Sequence, residues 1–278
     1  AKIDEIKDIL SKIPGVAFFS FAVKAELKLE AIKESVLEFL KDEEFETFKI
    51  HTRRHNKNFE MKSMELNCLL GEVVMVKLNK KVKMKNPDRL VKVEISEKYA
   101  FISCENVKSV GGLPTNQKQK VVTLLSGGFD SPVASYMMMK RGCEVIFVHF
   151  NNKNQMACSV RDKITMLAEQ LSKFQIKTKL YIVPFEKIQK ELIMKVKADS
   201  RMLVYRRFMI KIASKVAKNE RARFLIVGDS LSQVASQTLE NLEATYKDTD
   251  MHILSPLIGM HKREIMDIAR EIGTYEIS

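Results

Sequence analysis

Apolar and polar positions alternate with two different rhythms along the chain. Residues 1–118 carry separate helical stripes between short alternating runs. Ile3 to Ile13 repeats apolar residues at helical spacing until Pro14-Gly15 breaks the pattern. Val16 to Val23 is an apolar run of strand length. Leu27 to Leu40 places Leu29, Ile32, Val36, Leu37 and Leu40 on one helical face. Phe48-Lys49-Ile50-His51 predicts a strand, and Met61 to Met75 a second helix. Val91 to Ile95 and Tyr99 to Cys104 alternate on either side of Ser96-Glu97-Lys98, as a hairpin does. Strand, helix, strand, helix, strand, strand predicts a small α+β sheet with its helices on one face.

After the turn-rich Gly111-Gly112-Leu113-Pro114-Thr115-Asn116 the rhythm changes. Strands are expected at Val121 to Leu125, Val145 to Phe150, Leu180 to Val183 and Phe224 to Val227. Helices are expected at Pro132 to Lys140, about Val160 to Phe174, 185–197, 201–218, Gln233 to Leu242 and His261 to Ile272. Strands that alternate with helices imply an α/β, doubly wound parallel sheet whose sites lie at the strand C-termini.

Composition narrows the class. The 278 residues are 45% hydrophobic and 29% charged, which is globular and long enough for one large or two ordinary domains. No apolar run reaches the roughly 18 residues of a membrane span, and Ala1-Lys2-Ile3-Asp4 does not open a signal peptide. A cytoplasmic protein with no membrane partner is expected. Cys68, Cys104, Cys143 and Cys158 are scattered without a C-x-x-C pair, which fits reduced thiols and argues against a zinc knuckle or any other metal cluster. Cys68 and Cys104 read as core, Cys143 as the start of a buried strand, and Cys158 as the candidate reactive thiol. Basic residues outnumber acidic ones by 47 to 35, so a polyanion is the expected partner. The excess gathers in Arg53, Arg54, His55 and Lys57, and again in Lys77, Lys80, Lys81, Lys83, Lys85, Arg89 and Lys92. Such clusters suit either a solvated surface or a phosphate-backbone footprint. Phe59 between them suits the core better than base stacking.

The chemistry concentrates in Ser126-Gly127-Gly128-Phe129-Asp130-Ser131-Pro132, where a strand turns into a helix. Glycines at such a corner bring backbone N–H groups close to an oxyanion. The two serines add donors, and the following helix directs its positive end at the same place. The Walker pattern, with its lysine, is missing. This cradle suits a pyrophosphate that leaves whole when a nucleotidyl group is transferred. Asp130 is either a helix cap or a hard oxygen ligand that holds Mg²⁺ beside a triphosphate. The other strand ends deliver His149-Phe150, where adenine can rest, and Gly228-Asp229-Ser230 followed by Gln237. Arg206-Arg207 on the helix from 201 can stabilise phosphate charge.

Ser126 to Ala134 resembles the PP-loop of the ThiI family of tRNA 4-thiouridine synthetases. Met138 to Gly142 with His149-Phe150, Gly228 to Leu242, and Pro256 to Gly259 through Ile272 to Tyr275 agree in order and spacing. Upstream, Arg53-Arg54 with Lys57, Phe59, Ser63 and Gly111 to Pro114 resemble that family's THUMP domain. The resemblance implies the tail of a ferredoxin-like domain at 1–14, a THUMP domain at 15–110 and a linker at 111–119. It implies a PP-loop ATP pyrophosphatase domain, adenine nucleotide alpha hydrolase-like, at 120–278. It assigns ATP contacts to Leu124, Leu125, Ser126, Gly127, Gly128, Ser131, His149, Phe150, Arg206, Gly228 and Gln237. Asp130 becomes the catalytic residue, and Arg53, Arg54, Lys57, Lys80 and Lys81 become RNA contacts.

The implied reaction adenylates uridine 8 of tRNA with ATP and Mg²⁺, after which a persulfide donor, such as a cysteine desulfurase, supplies sulfur. A homodimer and a link to thiamine thiazole biosynthesis stay open. So do a tRNA-binding module or fragment without the sulfur step and a PP-loop ligase acting on a small molecule. Met202 and Tyr205 stand where some relatives carry an iron–sulfur C-x-x-C pair, so the resemblance does not extend to that cluster. The resemblance places the family's usual cysteine beyond Tyr275-Glu276-Ile277-Ser278, and no rhodanese-like domain is expected from these residues. The resemblance therefore supports the activation half-reaction in this sequence and does not support the sulfur half.

Overall fold

The computed structural model describes residues 2–104, 106–151, 158–231, 237–247 and 249–278, with the side chains of 117 and 158–162 outside that description. The chain forms two compact units, Phe18–Lys108 and Ser109–Ser278 joined by Ala1–Ala17. The first segment therefore belongs with the C-terminal unit, and the divisions fall at 17/18 and 108/109. Helix α1 (Lys2–Ser11) is held there because Ser109 Oγ lies 2.9 Å from the carbonyls of Leu10 and Ser11. Gly15 N–H donates to Gly111 O at 2.8 Å, and Gly111 N–H donates to Val16 O at 2.8 Å. Gly15 has φ +95° and lies against Pro114, where a side chain has no room.

The unit of residues 18–108 contains β1 (Phe18–Phe19), β2 (Val23–Glu26), α2 (Leu29–Lys41), β3 (Thr47–Arg54) and α3 (Ser63–Leu78). β4 (Lys81–Val82), β5 (Arg89–Ile95), β6 (Tyr99–Ser103) and β7 (Val107–Lys108) complete it. The main sheet runs β2-β6-β5-β3-β4, with β3 parallel to β4 and β5 and the remaining pairs antiparallel. Strand alternation sends Phe48, Ile50, Val91, Val93 and Ile95 into one core with Ile32, Val36 and Leu40 of α2 and Leu66, Leu70 and Val74 of α3. Both helices thus cover one face, as the pattern predicts. The expected single strand Val16–Val23 is replaced by two short strands in different sheets. β1 pairs with β7, whereas β2 pairs with β6. Apart from Ser20 that run is apolar and has no period-2 signal to hold it on one face, and Phe18 and Val23 are exposed.

The other unit contains β8 (Asn116–Leu124), α4 (Asp130–Lys140), β9 (Cys143–Asn151), α5 (Cys158–Ser172), β10 (Lys179–Pro184) and α6 (Glu186–Lys195). α7 (Ala198–Asn219), β11 (Phe224–Ile226), α8 (Leu239–Tyr246), β12 (His252–Leu254) and α9 (Lys262–Glu271) follow. The sheet order is β10-β9-β8-β11-β12, parallel throughout. One face of β8 and β9 packs Val121, Val145 and Phe147 against Val133, Ile164, Leu171 and Ile265 of α4, α5 and α9. The other packs Val122, Ile146 and Val148 against Leu192 of α6 and Ile210 and Ala213 of α7. The near-continuous burial of β9 follows from cover on both faces. β8 begins at Asn116, inside the expected linker, and a register shift between Asn116 and Lys120 lets it reach β9 early. The expected helix from Gln233 starts at Leu239, where Thr238 Oγ1 accepts Asn241 N–H; residues 232–236 lie outside the described residues. The strand order reverses direction between β8 and β11, and ligands of doubly wound folds bind at such a switch point.

Candidate functional site

The loop after β8 is shaped by its own serines. Ser126 N–H donates to Ser131 Oγ at 2.8 Å, and the two hydroxyl oxygens lie 2.9 Å apart. Leu125 N–H donates to Val148 O at 2.8 Å, and the Leu125 carbonyl accepts from His149 Nδ1 at 2.9 Å. A carbonyl only accepts, so His149 carries its proton on Nδ1 and fixes the point where the loop leaves the sheet. α4 begins directly at Asp130, so its unpaired N–H groups open at the loop.

Across the switch point, Gly228 presses its backbone on this helix start. A Cβ at position 228 would sit 2.8 Å from Ser131 N and 2.9 Å from Asp130 C. Between the two strand ends and α7 lies a cavity of about 300 Å³. It gathers Leu124, Ser126, Asp130, Ser131, Arg206, Gly228 and Gln237, seven residues that the sequence reading named. Met209 and Ile210 give it an apolar side suited to a base, and Asp229 joins the polar side. Leu125, Gly127, Gly128, His149 and Phe150 are not among the lining side chains. Leu125 is core, and Phe150 is buried edge-to-face against Phe185 with ring centroids 5.5 Å apart.

Asp130 Oδ1 is buried and has no hydrogen-bond partner among the described residues. Burial pushes its carboxyl above the ordinary value of 3.8, Lys262 pulls it back, and Asp229 adds a further push upward. Two lysines outside the motif lie beside the loop. Lys262 opens α9 and lies 5.8 Å from the centre of the Phe129 ring. Lys163 of α5 reaches Gly127, its Nζ 3.9 Å from where a Cβ would stand. Sequence reasoning missed both, because each comes from a helix with no local tie to the loop.

Asp229 was named only as part of the Gly228-Asp229-Ser230 strand end, with no role of its own. Its carboxylate is buried and accepts from Arg206 Nη2 and Tyr246 OH at Oδ2, and from Gln237 Nε2 at Oδ1 over 3.2 Å. Burial, and then the Asp229 charge, drives the Tyr246 hydroxyl far above its ordinary pKa, so it stays a donor.

In the other unit, the helix-free face of the sheet carries His51, Arg53 and Lys92 around a hollow of about 400 Å³ that Phe18, Phe19 and Phe101 also line. Arg53, Lys57 and Lys81 are exposed. Arg54 and Lys80 are engaged within the fold. Arg54 Nη1 donates to Phe59 O at 3.1 Å and Met61 O at 2.8 Å, while Lys80 Nζ donates to Phe45 O at 2.5 Å. Phe59 is core, as expected. Cys68 is exposed, contrary to expectation: α3 buries Leu66, Leu70 and Val74, and position 68 falls outside that stripe. Cys104 is partly buried and Cys143 is buried, while the side chain of Cys158 lies outside the described residues. Met202 is exposed and Tyr205 buried. Among the described residues, no three His, Cys, Asp or Glu side chains gather as a metal cluster would need.

Two family models match the two units. The model for thiamine biosynthesis protein (ThiI) matches residues 116–278, and that for the THUMP domain matches residues 26–105. The chain belongs to the ThiI family. A probable tRNA sulfurtransferase of Thermoanaerobacter pseudethanolicus is 42% identical over 277 residues, 99% of this chain and 73% of the relative. One from Thermus thermophilus is 39% identical over 99% of this chain and 68% of its own. Among solved structures, a 4-thiouridine synthetase–RNA complex with bound ATP superposes with a TM-score of 0.92 at 34% identity. The match covers 98% of this chain and 72% of that one. A Pyrococcus horikoshii protein shares the fold, with a TM-score of 0.72 at 22% identity over 97% of this chain and 82% of its own. Among the described residues, no helix is long and apolar enough to cross a membrane.

Proposed function

We propose that the chain is an ATP-dependent tRNA sulfurtransferase that activates uridine 8 of tRNA for conversion to 4-thiouridine. The observation that carries this reading is the switch-point cavity of a ThiI-family chain. There the unpartnered Oδ1 of Asp130 stands beside the paired serines and Arg206. The apolar side formed by Leu124, Met209 and Ile210 takes the adenosine. The loop amides and the start of α4 face the phosphates.

In the reaction, O4 of the uridine attacks the α-phosphorus of ATP and the α–β bridging bond breaks. The pyrophosphate then leaves whole. The terminal sulfur of a persulfide donor, such as a cysteine desulfurase supplies, next attacks C4, and AMP departs with the original O4. A second thiol then attacks the donor's sulfur in the resulting disulfide, which frees 4-thiouridine and leaves the donor and that thiol joined as a disulfide. Lys163, Lys262 and Arg206 place positive charge where the phosphate charge gathers. The site fits Mg²⁺ as well: Asp130 offers a buried hard oxygen with no partner among the described residues, and Asp229 adds negative charge nearby. A bound Mg²⁺ ion supplies charge neutralisation at phosphate oxygens. The basic, aromatic-edged hollow at His51, Arg53 and Lys92 gives the THUMP unit a surface for the tRNA.

Pyrophosphate release measured with unmodified tRNA tests this reading. Release by the wild-type chain should require both tRNA and ATP. It should fall at least about a hundredfold in Asp130→Ala, the scale of removing one electrostatic catalytic group. Release that ignores tRNA would overturn the substrate assignment, and unchanged release in Asp130→Ala would overturn the role of Asp130.

A further inference from the structure

We infer that Asp229 is a positioning residue that decides which end of the Gln237 amide meets the nucleotide. This inference rests on the nucleotide site proposed above. An ionised carboxylate accepts hydrogen bonds and donates none, so the amide end of Gln237 that faces Asp229 Oδ1 at 3.2 Å is its NH2 group. The other end, Oε1, is then presented as an acceptor. That oxygen is buried in the cavity wall and has no partner among the described residues.

A buried acceptor left unmatched is costly, so a bound molecule is expected to bring it a donor. Phosphate oxygens only accept and are repelled by an amide carbonyl. Among the groups of ATP, that leaves an O–H or N–H of the nucleoside: a ribose hydroxyl or the exocyclic amine of adenine. Asp229 cannot rotate away to release the amide, because Arg206 and Tyr246 both hold its second oxygen. Tyr246 remains protonated throughout the working range, since burial and the neighbouring carboxylate both oppose its ionisation. Asp229 thus orients the recognising amide through its own contact with it.

The test compares binding of ATP, 2′-deoxy-ATP, 3′-deoxy-ATP and purine riboside triphosphate, which lacks the amine, by calorimetry on the full chain. The wild type should bind one analogue about tenfold or more weakly than ATP, which identifies the donor. Gln237→Met should lose that discrimination. Asp229→Asn should lose it too, because asparagine can donate as well as accept and the amide is free to turn. The double variant should discriminate no less than Gln237→Met alone, as expected for residues acting in one chain of contacts.

A merely structural role for Asp229 would weaken all four ligands alike. A folded Asp229→Asn that keeps wild-type discrimination overturns the inference, as does a wild type that discriminates against none of the analogues. Should Asp229→Asn fail to fold, discrimination that persists in Gln237→Met is sufficient to overturn it. A wild type that binds no ATP would instead overturn the nucleotide-site reading.

Discussion

Alanine at Gly228 would separate the two halves of the candidate site by a distance that the structure specifies. The added Cβ meets Ser131 N at 2.8 Å, Asp130 C at 2.9 Å and Asp130 Cβ at 3.1 Å. Ordinary contact begins near 3.4 Å, so the end of β11 and the first peptide of α4 must part by about 0.6 Å. The nearest two atoms are backbone, and no rotamer change can absorb the clash. Gly228 has no left-handed φ, so alanine meets no conformational penalty there. By itself the loss of glycine's freedom in the unfolded chain would stabilise by about 0.4–1 kcal/mol. Overpacking opposes it at about 1–3 kcal/mol, which leaves a net loss between about zero and 2.6 kcal/mol, about 1–2 kcal/mol in the middle of that range.

For a unit of this size, that loss corresponds to a fall in Tm of about 2–8 °C. The catalytic effect should be larger than the stability effect suggests. A 1 Å misplacement of reacting groups costs about a hundredfold, so about 0.6 Å at Asp130 and Ser131 should cost at least about tenfold in tRNA-dependent pyrophosphate release. Gly259→Ala is the matched control, since a Cβ there meets nothing within 4 Å. Both variants would be followed by thermal melting and by pyrophosphate release. A Gly228→Ala chain with release within twofold of Gly259→Ala would refute the claim that these backbones set the site.

Asp130→Asn should melt at or above the wild type at pH 7 while losing pyrophosphate release. The carboxyl is raised by burial, so its stabilising contribution is full below the unfolded value of 3.8 and is lost as pH rises through the folded pKa. The variant should therefore have a flatter Tm profile across that window, and a lower Tm than wild type at pH 7 would contradict this sign. Arg53→Ala should weaken tRNA binding and reduce the salt slope by about one, with ATP affinity and Tm unchanged. Arg54→Ala should instead destabilise the unit of residues 18–108 by about 1–3 kcal/mol, since the carbonyls of Phe59 and Met61 lose their donor. Equal melting of the two arginine variants would show that Arg54 does not hold that loop.

The parts of the fold legible in the sequence are those whose signal is carried within one segment. The stripe Ile32, Val36 and Leu40 reports α2, and the alternation of Val91, Val93 and Ile95 reports β5, because one face of each must find the core. β12 spans only His252–Leu254 at a sheet edge, and β4 and β1 are two residues each, too short to show any period. Their existence depends on a neighbouring strand and not on their own residues. The charge clusters were legible as clusters only. Arg53 and Arg54 are adjacent on β3, but the pleat leaves one exposed and ties the other to a loop, so charge density alone could not separate their roles.

The candidate site divides along the same line. Ser126, Gly127, Gly128, Asp130 and Ser131 form a loop within six positions, and their types at that spacing already specify a phosphate cradle. Asp229 stood out only as part of a Gly-Asp-Ser strand end because its donors lie 8, 17 and 23 positions away, on or near two different helices. Sequence motifs thus named Gln237 as a residue at the site, but which of its two ends meets a ligand depends on the carboxylate of Asp229. Amide side chains are nearly symmetric in shape and opposite in hydrogen-bonding sense. The specificity of this cavity accordingly resides in the contact between Asp229 and Gln237, and replacing either residue should change what the site recognises more than whether the chain folds.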